Sequence, residues 1–194
     1  EFTIDVAPVN DAPFFTGGSN ISLNEDSGPQ SISGWATAIS KGPVNESSQT
    51  ISFAITSNSN PGLFASGPAV SPDGTLAFET TLNAFGTATI DVQVSDDGGG
   101  SFTGNTHSFT IDIGPQNDAP DAQPDSATVK VGKTVTIPVL ANDSDVELGT
   151  LQLLSVTTPT YGTVRIVGNT LVYTPKIIKG AVDTFNYTVS DGQG

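Results

Sequence analysis

Phe2–Pro13 has the sequence FTIDVAPVNDAP and Phe109–Pro120 has FTIDIGPQNDAP; nine of the twelve positions are identical, at an offset of 107 residues. A period of that length is the size of one small domain, so the chain is an array of similar domains and not a single large core. The repeat sets the expected boundaries. Residues 1–8 are the last strand of a preceding repeat, 9–114 a complete repeat, and 115–194 a second repeat that stops before its last strand.

Within each period, apolar and polar residues alternate. The pattern appears in Ile51–Phe53–Ile55, Ile90–Val92–Val94 and Phe109–Ile111–Ile113, and again in Val135–Ile137–Val139, Val164–Ile166 and Phe185–Tyr187–Val189. Period two with β-branched and aromatic residues predicts half-buried strands. Turn clusters separate them: Ser71–Gly74, Ser95–Gly100, Gly168–Asn169 and Ser190–Gly194. No stretch keeps a helical period, so the expected class is all-β. The first repeat offers strands A to G near Ile21–Leu23, Ser31–Ala38, Thr50–Thr56, a short fourth, Thr75–Glu79, Thr87–Val94 and His107–Ile113. The second offers A to F at Ala127–Val131, Thr134–Val139, Thr150–Val156, Gly162–Val167, Thr170–Thr174 and Thr184–Ser190. Seven strands in about 100 residues is the content of an immunoglobulin-like sandwich. A sandwich without its last strand has an open sheet edge, and open edges recruit strands. The orphan strand Phe2–Val6 is expected to fill such a gap in another copy.

Charge narrows the partners. The chain has 20 acidic and 6 basic residues, a net charge of −14. Residues 1–113 hold twelve of the acids and one base, Lys41. Such a field repels nucleic acid and anionic membrane and favours cations. The absence of cysteine excludes a disulfide framework and a thiol nucleophile. No apolar run is long enough to span a bilayer. The first residues form a strand and not a leader, so any export signal is expected outside this segment.

At the linkers the sequence resembles a known family. VNDAPFF at Val9–Phe15 and QNDAP at Gln116–Pro120 resemble the linker of cadherin repeats, and more closely the VNDAP punctuation of bacterial cadherin-like repeats. In the first period, LNEDSG, VSPDGTLAF, NAFGTATI and SDDGG resemble one such repeat. In the next period, DSATV, VLANDSD, LVYTP and DTFNYTVSDGQG resemble a related bacterial immunoglobulin-like repeat. The resemblance implies two tandem seven-strand immunoglobulin/cadherin-like sandwiches, the second lacking its last strand, from a large secreted or cell-surface protein. It further implies a structural and adhesive role, with calcium between consecutive domains.

Calcium takes six to eight oxygen ligands, and the sandwich topology shows which acids could supply them. The start of strand A and the BC and FG loops share one end; the end of A and the exit of G share the other. At the linker end of the second repeat this brings together Asn117, Asp118, Asp143, Asp145 and Asp191, with Asp125 close by, and the first repeat contributes Glu25 and Asp26. At the opposite end of the first repeat, Asn10, Asp11, Glu46, Asp96 and Asp97 converge, and a weaker or empty site is expected there. Aligning Ile21–Gly28 with Ala127–Thr134 sets Val131 opposite Glu25 and Gly132 opposite Asp26, so the far end of the second repeat lacks these ligands.

Other signals carry less. Asp143–Glu147 opens like an EF-hand loop, but Leu148 and Leu154 occupy the positions that need Gly and Glu. The single histidine, His107, heads a predicted edge strand, and no nucleophile or zinc motif accompanies it, so no enzyme is expected. The alternative to a calcium spacer is a carbohydrate- or surface-binding module. It needs an exposed aromatic on a flat sheet face, with Trp35, Tyr161 and Tyr173 the candidates. Lys130, Lys133, Lys176 and Lys179 give the second repeat a modest basic face. The Asn-X-Ser/Thr sequons at Asn20, Asn45, Asn142 and Asn186 are what a Ser/Thr-rich β chain generates by chance.

Overall fold

The structure, a computed structural model, describes residues 2–5, 9–98, 103–176 and 180–193. The chain divides into two compact units, Glu1–Gln116 and Asn117–Gly194. Both are all-β, and among the described residues helical content is confined to short 3-10 turns such as Val44–Glu46 and Val139–Ala141. Among the described residues no helix is long and apolar enough to cross a membrane.

The first unit contains β1 (Phe14–Thr16), β2 (Ile21–Asn24), β3 (Pro29–Ile32), β4 (Thr37–Ser40), β5 (Ile51–Asn58), β6 (Phe64–Val70), β7 (Leu76–Thr80), β8 (Gly86–Asp96) and β9 (Thr103–Gly114). A four-stranded sheet has the order β2-β9-β8-β5, a three-stranded sheet the order β3-β7-β6, and β1 pairs with β4. β2 runs parallel to β9, with Ile21 opposite Ile111. The alternation in β8 is realised as a buried row, Ala88, Ile90, Val92 and Val94, which shares a core with Leu76, Ile111 and Ile113. Burying each large aliphatic side chain of this set contributes about 1.5–3 kcal/mol.

An aromatic cluster extends this core. Trp35 lies 4.5 Å from Phe109 and 5.7 Å from His107 between ring centroids, and Phe15 meets Phe53 edge-on at 5.1 Å. Trp35 is buried in the bend between β3 and β4, because the expected single strand B is split there, and its indole N–H donates to the Ser19 carbonyl at 3.3 Å. His107 does not head an edge strand. β9 begins at Thr103 and lies inside the sheet between β2 and β8, so His107 is half-buried, with Nε2 3.1 Å from the Gly18 carbonyl oxygen.

The second unit contains β10 (Val135–Ile137), β11 (Gln152–Val156), β12 (Gly162–Val167), β13 (Thr170–Pro175) and β14 (Tyr187–Ser190), in sheets β10-β13-β12 and β11-β14. The expected strand Ala127–Val131 does not form. In the first unit its counterpart β2 leans on β9, and no counterpart of β9 exists among the described residues of the second unit. Among the described residues, the large buried apolar side chains here are few: Val139, Leu171 and Tyr173. A Cβ on Gly162 would sit 2.4 Å from the Tyr173 ring, so only glycine lets β12 pass over it.

Polar bonds supplement that small core. The Asp183 carboxylate accepts the N–H groups of Thr160 and Tyr161, at 2.9 and 2.8 Å, and the Tyr173 hydroxyl at 2.9 Å. Burial works to raise the Asp183 carboxyl. The Tyr173 hydroxyl and the N–H groups of Tyr161, Thr160 and Thr184 outweigh it and hold the group below its ordinary range.

Two measurements check these assignments. Leu76→Ala should destabilise the first unit by about 2–5 kcal/mol in chemical denaturation, the range for a cavity in a packed core. Asp183→Asn should melt below the wild type at neutral pH. A carboxyl depressed by folding contributes fully above its unfolded value of 3.8, and the contribution is lost as pH falls through the lower folded value. The gap between variant and wild type should therefore close in acid; a gap that persists at all pH values contradicts the assignment.

Candidate metal centre

At one end of the first unit, the 3-10 turn Val44–Glu46 delivers Glu46 inward, and Glu46 is 3% exposed. Its Oε1 accepts the Asp11 N–H at 2.8 Å, while its Oε2 is buried with no hydrogen-bond partner among the described residues. Gly42, at φ 114°, leaves the space its carboxylate occupies, since a Cβ there would collide with Oε2. Asp96 Oδ1 accepts the Asn10 side-chain amide at 3.3 Å and the Gly98 N–H at 3.1 Å. Gln49 Nε2 donates to Asn10 Oδ1 at 2.6 Å. Asp96 Oδ2 and Gln49 Oε1 are also buried and unpartnered among the described residues. Asn10, Asp11, Glu46 and Asp96 thus come together, and Gln49, not anticipated from sequence, joins them. Asp97 is committed elsewhere: the Thr50 N–H, donating at 2.7 Å, and the Thr50 hydroxyl hold its carboxyl below the usual range.

The other end of the first unit repeats the arrangement. Glu25 follows β2 and is 1% exposed. Its Oε1 accepts the Gln116 N–H at 2.9 Å, and its Oε2 is buried without a partner among the described residues. Its neighbour Asp26, at φ 60°, instead accepts the Asn83 N–H at 2.9 Å and anchors the turn between β7 and β8.

In the second unit, the loop between the Val139–Ala141 turn and β11 carries the acids. Glu147 Oε2 accepts the Asp118 N–H at 3.0 Å, and Oε1 is buried and unpartnered among the described residues. Asp145 is buried; Oδ1 accepts the Gly149 N–H at 2.8 Å and Oδ2 has no partner among the described residues. Gly149 also lies against Asp191, whose Cβ would be 3.2 Å from a Cβ placed on the glycine. The Asn117 side-chain amide donates to the Asp118 carbonyl at 3.2 Å, a local bond.

Asp125 and Asp143 form a separate group around Tyr187. The Tyr187 hydroxyl lies 3.1 Å from Asp125 Oδ2 and 3.1 Å from Asp143 Oδ1, with the Gln123 carbonyl at 3.0 Å. Burial, with bonding to Asp143 and then Asp125, pushes the phenol well above its ordinary range. Asp143 also accepts the Gln123 N–H at 2.8 Å. These two acids therefore tie strand β14 to the segment leading into β10.

Glu147 escapes sequence reasoning because its surroundings suggest only a failed EF-hand pattern. A usable signal exists: Glu46 and Glu147 each stand five residues before the first residue of the following strand, Ile51 and Gln152. In both units this loop glutamate takes the N–H of the Asn-Asp-Ala-Pro aspartate.

The unpartnered atoms of Glu25, Glu46, Gln49, Asp96, Asp145 and Glu147 are carboxylate oxygens and one amide oxygen. That donor set suits a hard cation such as calcium and not a thiol- or imidazole-seeking metal. Two bare carboxylates 4 Å apart repel by about 4 kcal/mol at an effective dielectric near 20. A buried carboxylate oxygen with no donor costs more than one N–H bond returns. The residues at Glu46, Asp96 and Gln49 fit calcium, and the buried oxygens of Glu25, Asp145 and Glu147 are of the same chemical kind.

Residues 117–194 match the family model of a bacterial Ig domain. No curated protein sequence matches the chain. Among solved structures, a fragment of mouse cadherin-23, EC22-24, aligns over 86% of this chain and 55% of its own length, at 15% identity and a TM-score of 0.46. An endo-fucoidan hydrolase of glycoside hydrolase family 107 aligns over 97% of this chain and 28% of its own, at 15% identity and a TM-score of 0.40. A Bacteroides ovatus protein, SGBP-B, solved with a mixed-linkage heptasaccharide, aligns over 94% of this chain and 44% of its own, at 18% identity and a TM-score of 0.32. The chain thus spans about half or less of these proteins. Its second unit, residues 117–194, is similar to bacterial Ig domains.

Proposed function

We propose that the chain is a structural and adhesion module of a bacterial extracellular repeat protein, and that calcium bound at the repeat ends stiffens the junction between repeats. One observation carries this reading. Glu25, Glu46 and Glu147 each commit one oxygen to a linker N–H, of Gln116, Asp11 and Asp118, and leave the other oxygen buried and unpartnered among the described residues. A glutamine would satisfy the same N–H without a charge. The carboxylate is explained when a cation takes the second oxygen.

Glu25 would supply a ligand at the end of the first unit, and Asp118, Asp145, Glu147 and Asp191 would supply those of the second unit. Asn10, Asp11, Glu46, Gln49 and Asp96 would supply those at the other end of the first unit. Calcium supplies neutralising charge and joins loops that otherwise repel. The protein's share is to hold the loops in place by the backbone bonds above. Extracellular calcium modules bind at about 10⁻⁴–10⁻³ M, which fits a secreted or cell-surface position.

Titration with calcium, followed by melting and by solution scattering, tests the proposal. At a hundredfold excess over the dissociation constant each site should add about 2.7 kcal/mol, and scattering should show a stiffer particle. Asp118→Ala with Asp145→Ala should remove the scattering response. A protein whose shape and melting are the same in calcium and in chelator overturns the proposal.

Glu46 gives a second check in chelator alone. Glu46→Ala leaves the Asp11 N–H without its acceptor and should be about 1–3 kcal/mol less stable than Glu46→Gln. Glu46→Gln keeps an acceptor and removes the charge, so it should melt no lower than wild type in chelator yet gain less from calcium.

A further inference from the structure

The sheet β10-β13-β12 of the second unit differs in charge from the two larger sheets of the first unit. The three- and four-stranded sheets of the first unit carry acids in their strands: Asp91, Asp96 and Asp112 in one and Glu79 in the other. The strands of β10-β13-β12 contain no Asp or Glu and hold Arg165, the only arginine in a chain of net charge −14.

The register shows what this face presents. Gly162 and Tyr173 face inward against each other, so Tyr161, Thr163 and Arg165 face outward, and all three are exposed. Thr163 stands opposite Thr174, and Arg165 opposite Val172, which is flanked on its other side by Thr136. Thr136, Thr163 and Thr174 are exposed. Lys176 continues the row beyond β13; its N–H donates to the Tyr161 carbonyl at 2.7 Å, which sets it beside Tyr161. Lys179 lies outside the described residues. The acid that accepts the Tyr161 N–H, Asp183, is engaged by two backbone N–H groups and by the buried Tyr173 hydroxyl.

Of the three aromatics that a sugar platform would need, Trp35 and Tyr173 are buried, at 4% and 8% exposure, while Tyr161 is 40% exposed on this face. A flat strand face with one tyrosine ring, a row of threonine hydroxyls, and one guanidinium and one ammonium flanking them matches one ligand class. The ring stacks on a sugar, the hydroxyls bond its hydroxyls, and the guanidinium grips a carboxylate or sulfate in two-point fashion. We infer that the outer face of β10-β13-β12, built on Tyr161, Arg165 and Lys176, binds an anionic polysaccharide bearing carboxylate or sulfate groups. This site is separate from the calcium loops and does not rest on them.

The test is affinity electrophoresis and calorimetry of the full chain in chelator, so that calcium bridging plays no part. The probes are polygalacturonate (carboxylate), dextran sulfate (sulfate) and neutral dextran. Binding to at least one charged glycan and not to neutral dextran is expected; which one binds identifies the group gripped. Arg165→Ala should weaken that binding about tenfold or more, the loss of a charge-assisted two-point contact. Arg165→Lys should recover only part of it. Tyr161→Ala should weaken it while Tyr161→Phe does not, and Lys41→Ala, on the first unit, should have no effect. Both sites are exposed, and circular dichroism melting confirms that each variant folds. The inference is overturned if no charged glycan binds in chelator, or if Arg165→Ala or Tyr161→Ala binds as well as wild type. It is equally overturned if a DNA duplex of matched charge binds as tightly, since that marks bare charge attraction.

Discussion

A carboxylate taken out of water and given a single backbone N–H is the constraint around which the loops of this protein are arranged. Glu25, Glu46 and Glu147 all adopt it, each holding a peptide group of, or beside, an Asn-Asp-Ala-Pro stretch. The bond fixes where the chain enters or leaves a sandwich, because an N–H held at about 2.9 Å leaves the linker backbone little freedom. It also concentrates negative charge where the fold can least spread it. One N–H cannot balance a buried ionised group, so the arrangement is poised, and its balance is set by what occupies the second oxygen.

Much of this was legible in the sequence, and the reasons differ by element. The strands of the first unit follow period two closely because β8 and β9 are buried along one face; Ile90, Val92, Ile111 and Ile113 admit no other reading. Glu25, Glu46 and Asp145 were legible because the repeat itself places them in loops at sandwich ends. The fate of their neighbours was not. Asp26, Asp97, Asp125 and Asp143 lie in the same loops, yet they cap the N–H groups of Asn83, Thr50 and Gln123 or bond the Tyr187 hydroxyl. Whether a loop acid turns to its own backbone or toward a shared centre depends on backbone angles such as φ 60° at Asp26, which a lone sequence does not disclose. Strand Ala127–Val131 failed for a different reason: alternation marks a candidate face, but a strand needs a partner, and partners are a property of the whole sheet.

The two units solve the same folding problem with different resources. The first has a continuous apolar core with an aromatic extension of Phe15, Trp35 and Phe109. The second, among its described residues, buries few large side chains and adds polar ties, Tyr187 to Asp125 and Asp143, and Tyr173 to Asp183. Such ties are directional, so they fix register where a small core alone would leave the strands free to slip. They also explain why two of the three tyrosines are used up inside the unit, leaving Tyr161 as the aromatic on its outer face.

Charge placement follows from the same constraint. A chain of net −14 folds compactly only if its acids are kept apart or given donors. Here the paired strand interiors hold few of them, and most stand in loops and turns where backbone N–H groups are unpaired by the sheets. Loops of a sandwich collect at its two ends, so the solution that spares the sheets loads the ends. A repeat built this way carries its electrostatic strain at the junctions with its neighbours. Its sheets hold few of the acids, and the strands of one of them, β10-β13-β12, hold none.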